Sequence, residues 1–179
     1  MYRSIKFFAA FFVFPLIAFS QTQSSSYAGQ EQRAIRALSP QDVKMYLEGH
    51  GMGLAKAAEL NHYPGPRHVL DSATELKLSH EQFTRTQQIF AAMHNSAVAL
   101  GKRIVEKERH LDSLYVAQKI TDMQQRSLVG EIAKLQGELR LAHLNAHLEM
   151  KKILLPPQIA KYDELRGYGK GQTPPQGKH

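Results

Sequence analysis

The residues of this chain best suited to chemistry are two histidines spaced four apart, His143 and His147. In a helix, residues at this spacing lie on the same face, so both imidazoles would point in the same direction. Imidazole pairs of this kind chelate Zn, Ni, Co or Cu. The spacing therefore predicts a site for a divalent transition metal, and the alternative is a pair of ordinary surface histidines.

A third histidine, His94, is predicted to lie close to this pair. If the chain turns near residue 119, a heptad count places His94 opposite His143 on one flank of two paired helices. Met150 and Glu149 are close along the chain and offer further donor atoms. No partner pattern is apparent for five other histidines, which are His50, His62, His68, His80 and His110.

The signatures of common enzymes are absent from the sequence. It contains no His-Glu-x-x-His, no Gly-x-Ser-x-Gly and no paired-carboxylate pattern. The segment Gly49–Gly53 superficially resembles a phosphate-binding loop, but no strand is predicted before it, so it is interpreted as a helix break. The sequence therefore predicts a protein that is not an enzyme.

The N-terminus has the composition of a secretory signal peptide, residues 1–20. Arg3 and Lys6 precede an apolar run, residues 7–19, that is too short for an ordinary membrane span. Removing this segment would lower the formal net charge from +7 to +5. We expect a periplasmic protein without stable membrane insertion after cleavage, an uncleaved anchor being the alternative. Export and the modest charge disfavour nucleic-acid binding.

Two long helices, at about 79–117 and 121–154, are predicted to carry the histidines. Apolar residues recur at heptad spacing in the first, namely Phe83, Phe90, Ala97, Ile104 and Leu111, with Met93, Leu100 and Leu114 between them. The second continues the spacing with Leu128, Ile132, Leu135, Leu139, Ala142, Ala146 and Ile153. Because the connection is short, we expect an all-α fold built on a long antiparallel helical hairpin with short flanking helices.

Helix starts are marked by two similar pentads, Leu78–Gln82 and Leu154–Gln158. Ser79 and Gln82 have the spacing of a capping box, in which each side chain binds the other residue's backbone N–H. Thr121 and Gln124 have the same spacing. In the second pentad Leu155 has no oxygen for capping, but Pro156 suits a first helical turn.

The flanking segments are predicted from their composition. Residues 21–37, rich in Ser and Gln, are expected to form a flexible leader, and residues 167–179 a disordered tail. The domain between them, residues 38–166, contains no cysteine and must be held together by packing. An additional apolar row, Leu141, Leu144 and Leu148, faces away from the predicted seam. The short N-terminal helices, a second copy of the chain or an apolar client are the candidates to cover this row.

The signal peptide, the predicted hairpin and the two pentads together resemble the Spy/CpxP group of periplasmic LTxxQ-motif proteins. This group includes the zinc-resistance-associated proteins and the nickel/cobalt sensors. The resemblance covers about residues 66–166. It rests on Leu78, Ser79 and Gln82 in the first motif, with Ser in place of Thr, and on Leu154, Pro156 and Gln158 in the second, which lacks the Thr and the acidic residue.

The resemblance implies a cradle-shaped homodimer that binds unfolded or misfolded envelope proteins under envelope stress, without ATP and without a required cofactor. In such a chaperone the client would be contacted by Arg103, Arg126, Arg140, Leu141, Leu144 and Leu148.

The alternative in the same group is a periplasmic sensor or resistance protein that binds Zn, Ni, Co or Cu and contacts an envelope signalling protein. In the nickel/cobalt sensors, a His and a Met four apart precede the second motif. Here Met150 fills the Met position, but Ala146 fills the His position and His147 lies one residue away.

Overall fold

The computed structural model describes residues 24–168, and within this range the chain is helical without a strand. A 3-10 turn, Gln30–Gln32, precedes six α-helices: α1 Pro40–Leu47, α2 Lys56–Glu59, α3 Pro66–Asp71, α4 His80–Val116, α5 Asp122–Ile153 and α6 Pro156–Leu165. The long helices α4 and α5 pack together more extensively than any other pair. No helix of the described range is long and apolar enough to cross a membrane.

The chain divides into two compact units, of which the first ends at Glu31 and the second begins at Gln32. In the first unit, the described residues 24–31 form turns and the start of the 3-10 turn. The second unit holds all six α-helices. The predicted signal peptide and the predicted tail beyond Tyr168 lie outside the described residues.

The predicted capping boxes are confirmed at the starts of α4 and α5. Ser79 Oγ accepts from the Gln82 N–H at 3.1 Å, and Gln82 Oε1 accepts from the Ser79 N–H at 3.0 Å. Thr121 and Gln124 make the equivalent pair of bonds. At α6 the capping residue is Leu155, so only the reciprocal half forms: the Leu155 N–H donates to Gln158 Oε1 at 2.8 Å.

The glutamines of the two pentads bind one another. Gln82 Nε2 donates to Gln158 Oε1 at 2.9 Å, and Gln158 Nε2 donates to Gln82 Oε1 at 3.0 Å. Each amide also donates to a backbone carbonyl, that of Ile153 for Gln82 and that of Leu76 for Gln158. This amide pair, Gln82 with Gln158, therefore connects the start of α4, the end of α5 and the start of α6.

The buried seam follows the predicted residues closely on α5 and less closely on α4. Leu128, Ile132, Leu135 and Leu139 are buried as predicted. On α4, Phe83 is exposed, whereas Thr86 and Ile89 are buried. The heptad assignment of Phe83 was therefore wrong. The reason is that a straight helix drifts by about 20° per heptad relative to a strict seven-residue row. Ile89 instead packs in a cluster with Val69 of α3 and Tyr162 of α6.

The segment before α1 is more closely attached than the expected flexible leader. Ile35 is buried, and Arg36 binds Asp112 of α4 through both its backbone N–H and its guanidinium, the latter at 3.0 Å. Earlier in α4, Gly101 lies directly beneath the backbone of Tyr46 in α1. These contacts hold α1 and the segment before it against α4.

Candidate metal centre

Five histidines line one cavity of about 150 Å³ between the long helices and the segments around α1 and α3. His94 comes from α4, His143 and His147 come from α5, His50 follows α1, and His68 lies in α3. We call this pocket the histidine cavity. Phe90, Met93, Gly49, Gly51 and Gly65 are also among its lining residues. The glycines matter here because they let the backbone approach the imidazole rings closely.

His143 is buried in the seam of α5, with 4% of its surface exposed. Its Nε2 atom has no hydrogen-bond partner among the described residues. Burial lowers the pKa of His143, and the neighbouring His147 and His94 lower it further, so the ring is neutral at pH 7. A buried polar atom without a partner costs about 1–3 kcal/mol, so this nitrogen is a candidate donor to a bound ligand.

His147 is also buried, but its orientation is fixed by a hydrogen bond. Nδ1 lies 2.7 Å from the carbonyl oxygen of Tyr63, so the proton belongs on Nδ1. In the neutral ring this leaves the lone pair on Nε2, the form in which imidazole binds a metal. A carbonyl that fixes the tautomer in this way is the usual second partner of a metal-binding histidine.

Glu59 connects His147 to the end of α6. Its Oε2 lies 3.7 Å from His147 Nδ1, while its Oε1 accepts from Tyr162 Oη at 2.7 Å and from Arg166 Nε at 3.1 Å. Tyr168 Oη donates to the same oxygen at 3.2 Å. Burial and the Glu59 carboxylate raise the pKa of Tyr162, so this hydroxyl stays protonated and remains a donor. The network fixes Glu59 beside the histidines.

The histidine cavity is continuous with a larger and more polar space of about 600 Å³, the vestibule. Six residues line both, including His143, His147, His50 and His68. Lys56, Glu59, Asp71 and Arg166 line the vestibule but not the cavity. Solvent molecules and small ligands therefore have room beside the two buried imidazoles.

The predicted metal residues are only partly brought together. His94, His143 and His147 share the cavity, and His94 is half-buried and stacked on Phe90 at a centroid distance of 5.6 Å. Met150 instead lies fully buried in the hydrophobic cluster with Val69 and Tyr162 and does not line the cavity. The thioether at the cavity belongs to Met93, which the heptad spacing places in the helix seam.

His50 and His68 were missed because they lie in short segments whose position is set by tertiary contacts. The sequence features that could have pointed to them are the glycines around His50 and the Pro-Gly-Pro turn before His68, since both allow a close approach of the backbone. Across residues 24–168, no three His, Asp or Glu side chains are already arranged as a metal-ligand set. The two buried imidazoles therefore are the fixed part of the site, and the half-buried histidines would need to rotate to join them.

Gly65 controls access to His147. A Cβ at this position would lie 3.1 Å from His147 Nε2 and 3.0 Å from Cε1. If a metal ion binds at His147 Nε2, we expect Gly65→Ala to lower its affinity about tenfold, the lower end of the range for changes around metal ligands, because the methyl group covers the donor atom. Isothermal titration calorimetry would measure this. Gly137→Ala, with open space around its Cβ, is the control, and unchanged affinity in Gly65→Ala would contradict this role of Gly65.

The predicted client-binding residues lie outside the histidine cavity. Arg103 on α4 and Arg126 and Arg140 on α5 are exposed, and none lines the histidine cavity. On α5, Leu141 and Leu148 are 56% and 48% exposed, while Leu144 is half-buried. Beside them a groove of about 510 Å³ runs between α4 and α5, lined by Ala92, Ser96, Ala142, Asn145 and others.

Comparison with known proteins found no relative of this chain. No family model, no curated protein and no solved structure matches the chain.

Proposed function

We propose that this protein binds a divalent transition-metal ion in the histidine cavity, and that it does so as a periplasmic sensor or resistance protein and not as an enzyme. The observation that carries the proposal is the pair of buried imidazoles one helical turn apart, with Nε2 of His143 unpartnered. Zn, Ni, Co and Cu are the ions that imidazole donors favour.

The surroundings of the two rings support this proposal. His143 is held neutral by burial, so no proton has to leave before its lone pair can bind a metal. The Tyr63 carbonyl fixes the His147 tautomer, and Glu59 supplies negative charge at 3.7 Å from the same nitrogen. A purely structural role would favour a hydrophobic residue at position 143, because no residue between 24 and 168 bonds to the buried Nε2 atom.

The test is a volume-conserving variant, His143→Leu/His147→Leu. We expect calorimetric titration with Zn, Ni, Co and Cu to show binding to the wild type and a loss of affinity of more than about a hundredfold in the variant, since both fixed ligands are gone. We also expect His143→Leu alone to raise the metal-free thermal midpoint, because it removes an unpartnered buried polar atom.

His110→Leu is the control, because this histidine is exposed on α4 and does not line the cavity. It should bind metal as the wild type does. Equal metal affinity in the wild type and the double variant would rule out the proposed site, and circular dichroism would show that both variants are folded.

A second candidate function is favoured by the exposed Leu141 and Leu148 beside the groove. In this proposal α4 and α5 form an antiparallel hairpin, a second copy completes a cradle, and the apolar row holds unfolded envelope proteins without ATP. It is supported by the bond from Gln82, at the start of α4, to the Ile153 carbonyl at the end of α5. Exposed leucines seven residues apart on one helix provide a continuous apolar surface.

We expect the mature protein to suppress aggregation of a chemically denatured enzyme at near-stoichiometric ratios, as followed by light scattering. Leu141→Ser/Leu148→Ser should lose most of this activity because it removes the apolar surface. Met123→Ser/Val129→Ser, two exposed positions of α5 outside the row, is the matched control. Full activity of the Leu141/Leu148 variant would rule out the row as the client-binding surface.

A further inference from the structure

The histidine cavity supplies fewer fixed donors than a transition-metal ion requires. Such an ion binds about four to six donor atoms. Only His143 and His147 are both buried and on the same helix face, and within residues 24–168 no group of three candidate ligands is preformed. If the metal proposed above binds here, at least two coordination positions remain for donors from outside the buried pair.

The vestibule has space for such donors. Its volume of about 600 Å³ is in the range of pockets that hold small organic ligands, and His143 and His147 form part of its wall. An organic ligand in the vestibule would therefore lie beside the two imidazole rings.

The charges of the vestibule favour an anionic ligand. Three cationic side chains, Lys56, Arg67 and Arg166, outnumber its two carboxylates, Glu59 and Asp71, and Arg166 already binds Glu59 at 3.1 Å. Lys56 and Arg67 line the same space, and neither forms an ion pair with any residue of the described chain. Two cationic side chains are thus free to bind carboxylates, and arginine does so with two parallel hydrogen bonds.

We propose that the site takes up its metal as a chelate with a small polycarboxylate of the citrate type. This deepens the metal-binding function proposed above and rests on it. His143 and His147 replace two water molecules of the chelated ion, so bonds to water are exchanged for bonds to nitrogen without any change of oxidation state. Arg67 and Lys56 bind the carboxylates that project into the vestibule.

The experiment uses Ni²⁺ alone, citrate alone and the 1:1 Ni²⁺–citrate complex as probes, with calorimetry and equilibrium dialysis of labelled citrate. We expect citrate to be retained in a 1:1 ratio with protein only when Ni²⁺ is present. Arg67→Met should weaken binding of the complex about tenfold, the value of one charged hydrogen-bonding group, while leaving binding of Ni²⁺ alone unchanged. Arg109→Met is the control, since Arg109 is exposed on α4 and lines neither space.

The failures of the two proposals are distinguishable. If the protein binds Ni²⁺ and leaves citrate in the dialysate, the chelate proposal is overturned and the metal site stands. If Arg67→Met and Arg109→Met bind the complex equally well, the role of Arg67 is overturned. If neither Ni²⁺ nor its citrate complex binds, both the chelate proposal and a nickel site are overturned.

Discussion

Replacing Gly101 by alanine is expected to destabilise the protein by about 3 kcal/mol or more, as overpacking against rigid backbone does. A Cβ at this position would overlap the carbonyl oxygen of Tyr46 and lie 2.7 Å from its carbonyl carbon. Because these atoms belong to the backbone of α1, no side chain can rotate away, and α1 must shift off α4. Urea unfolding followed by circular dichroism would measure the loss.

The same substitution elsewhere gives a matched control. Gly130 and Gly137 lie in the interior of α5, and a Cβ at either would meet no atom within 4 Å. Alanine there should raise the free energy of unfolding by about 0.5–1 kcal/mol, because glycine is a poor helix former. A Gly101→Ala protein as stable as the wild type would show that α1 does not approach α4 as closely as described.

Gln82→Ala is expected to lower the free energy of unfolding by about 2–3 kcal/mol, because several buried or half-buried groups lose a partner at once. The change removes half of the capping box, the donor to the Ile153 carbonyl and both bonds to Gln158. Gln158→Ala should have a similar effect. In a double-mutant cycle the two changes should be non-additive by about 1–2 kcal/mol, as for residues in one hydrogen-bond network.

Gln124→Ala is the control, because it removes a comparable capping bond without breaking the amide pair. Gln124 makes the same bond to the capping residue's N–H, at 3.0 Å, but within residues 24–168 its capping bonds are all with Thr121. Gln124→Ala should lower the free energy of unfolding by only about 0.5–1 kcal/mol, in the range of a single cap. If Gln82→Ala lowers the free energy of unfolding no more than Gln124→Ala does, or if the double-mutant cycle is additive, the amide pair adds no stability beyond that of the two caps.

Much of the fold could be predicted because its signals are local. Ser79 and Thr121 each stand three residues before a glutamine, and this spacing alone fixes where α4 and α5 begin. The apolar spacing likewise predicted two long helices packed together. It failed at Phe83, because a straight helix drifts from a strict seven-residue row, and Thr86 and Ile89 are the buried residues of the first turns of α4.

The candidate site was harder to predict because tertiary contacts form it. Spacing brought His143 and His147 together and suggested His94, all three of which line the cavity. It could not show that His143 and His147 are buried, since histidine itself gives no indication of burial. It also could not place His50 and His68, because short segments interrupted by glycine and proline carry no periodicity that fixes their direction.

The far end of the long helices is built differently from the end that holds the histidines. None of residues 106–127 is buried, and this end has surface contacts such as the Lys107–Glu131 ion pair at 2.7 Å. Helical segments with so few buried contacts open locally, at a lower free energy than global unfolding. Backbone amides near the 117–121 connection should therefore exchange with solvent quickly, while those around His143 exchange only when the whole domain opens. Local opening of this end would leave the histidine cavity in place, because none of the residues that line it lies between 106 and 127.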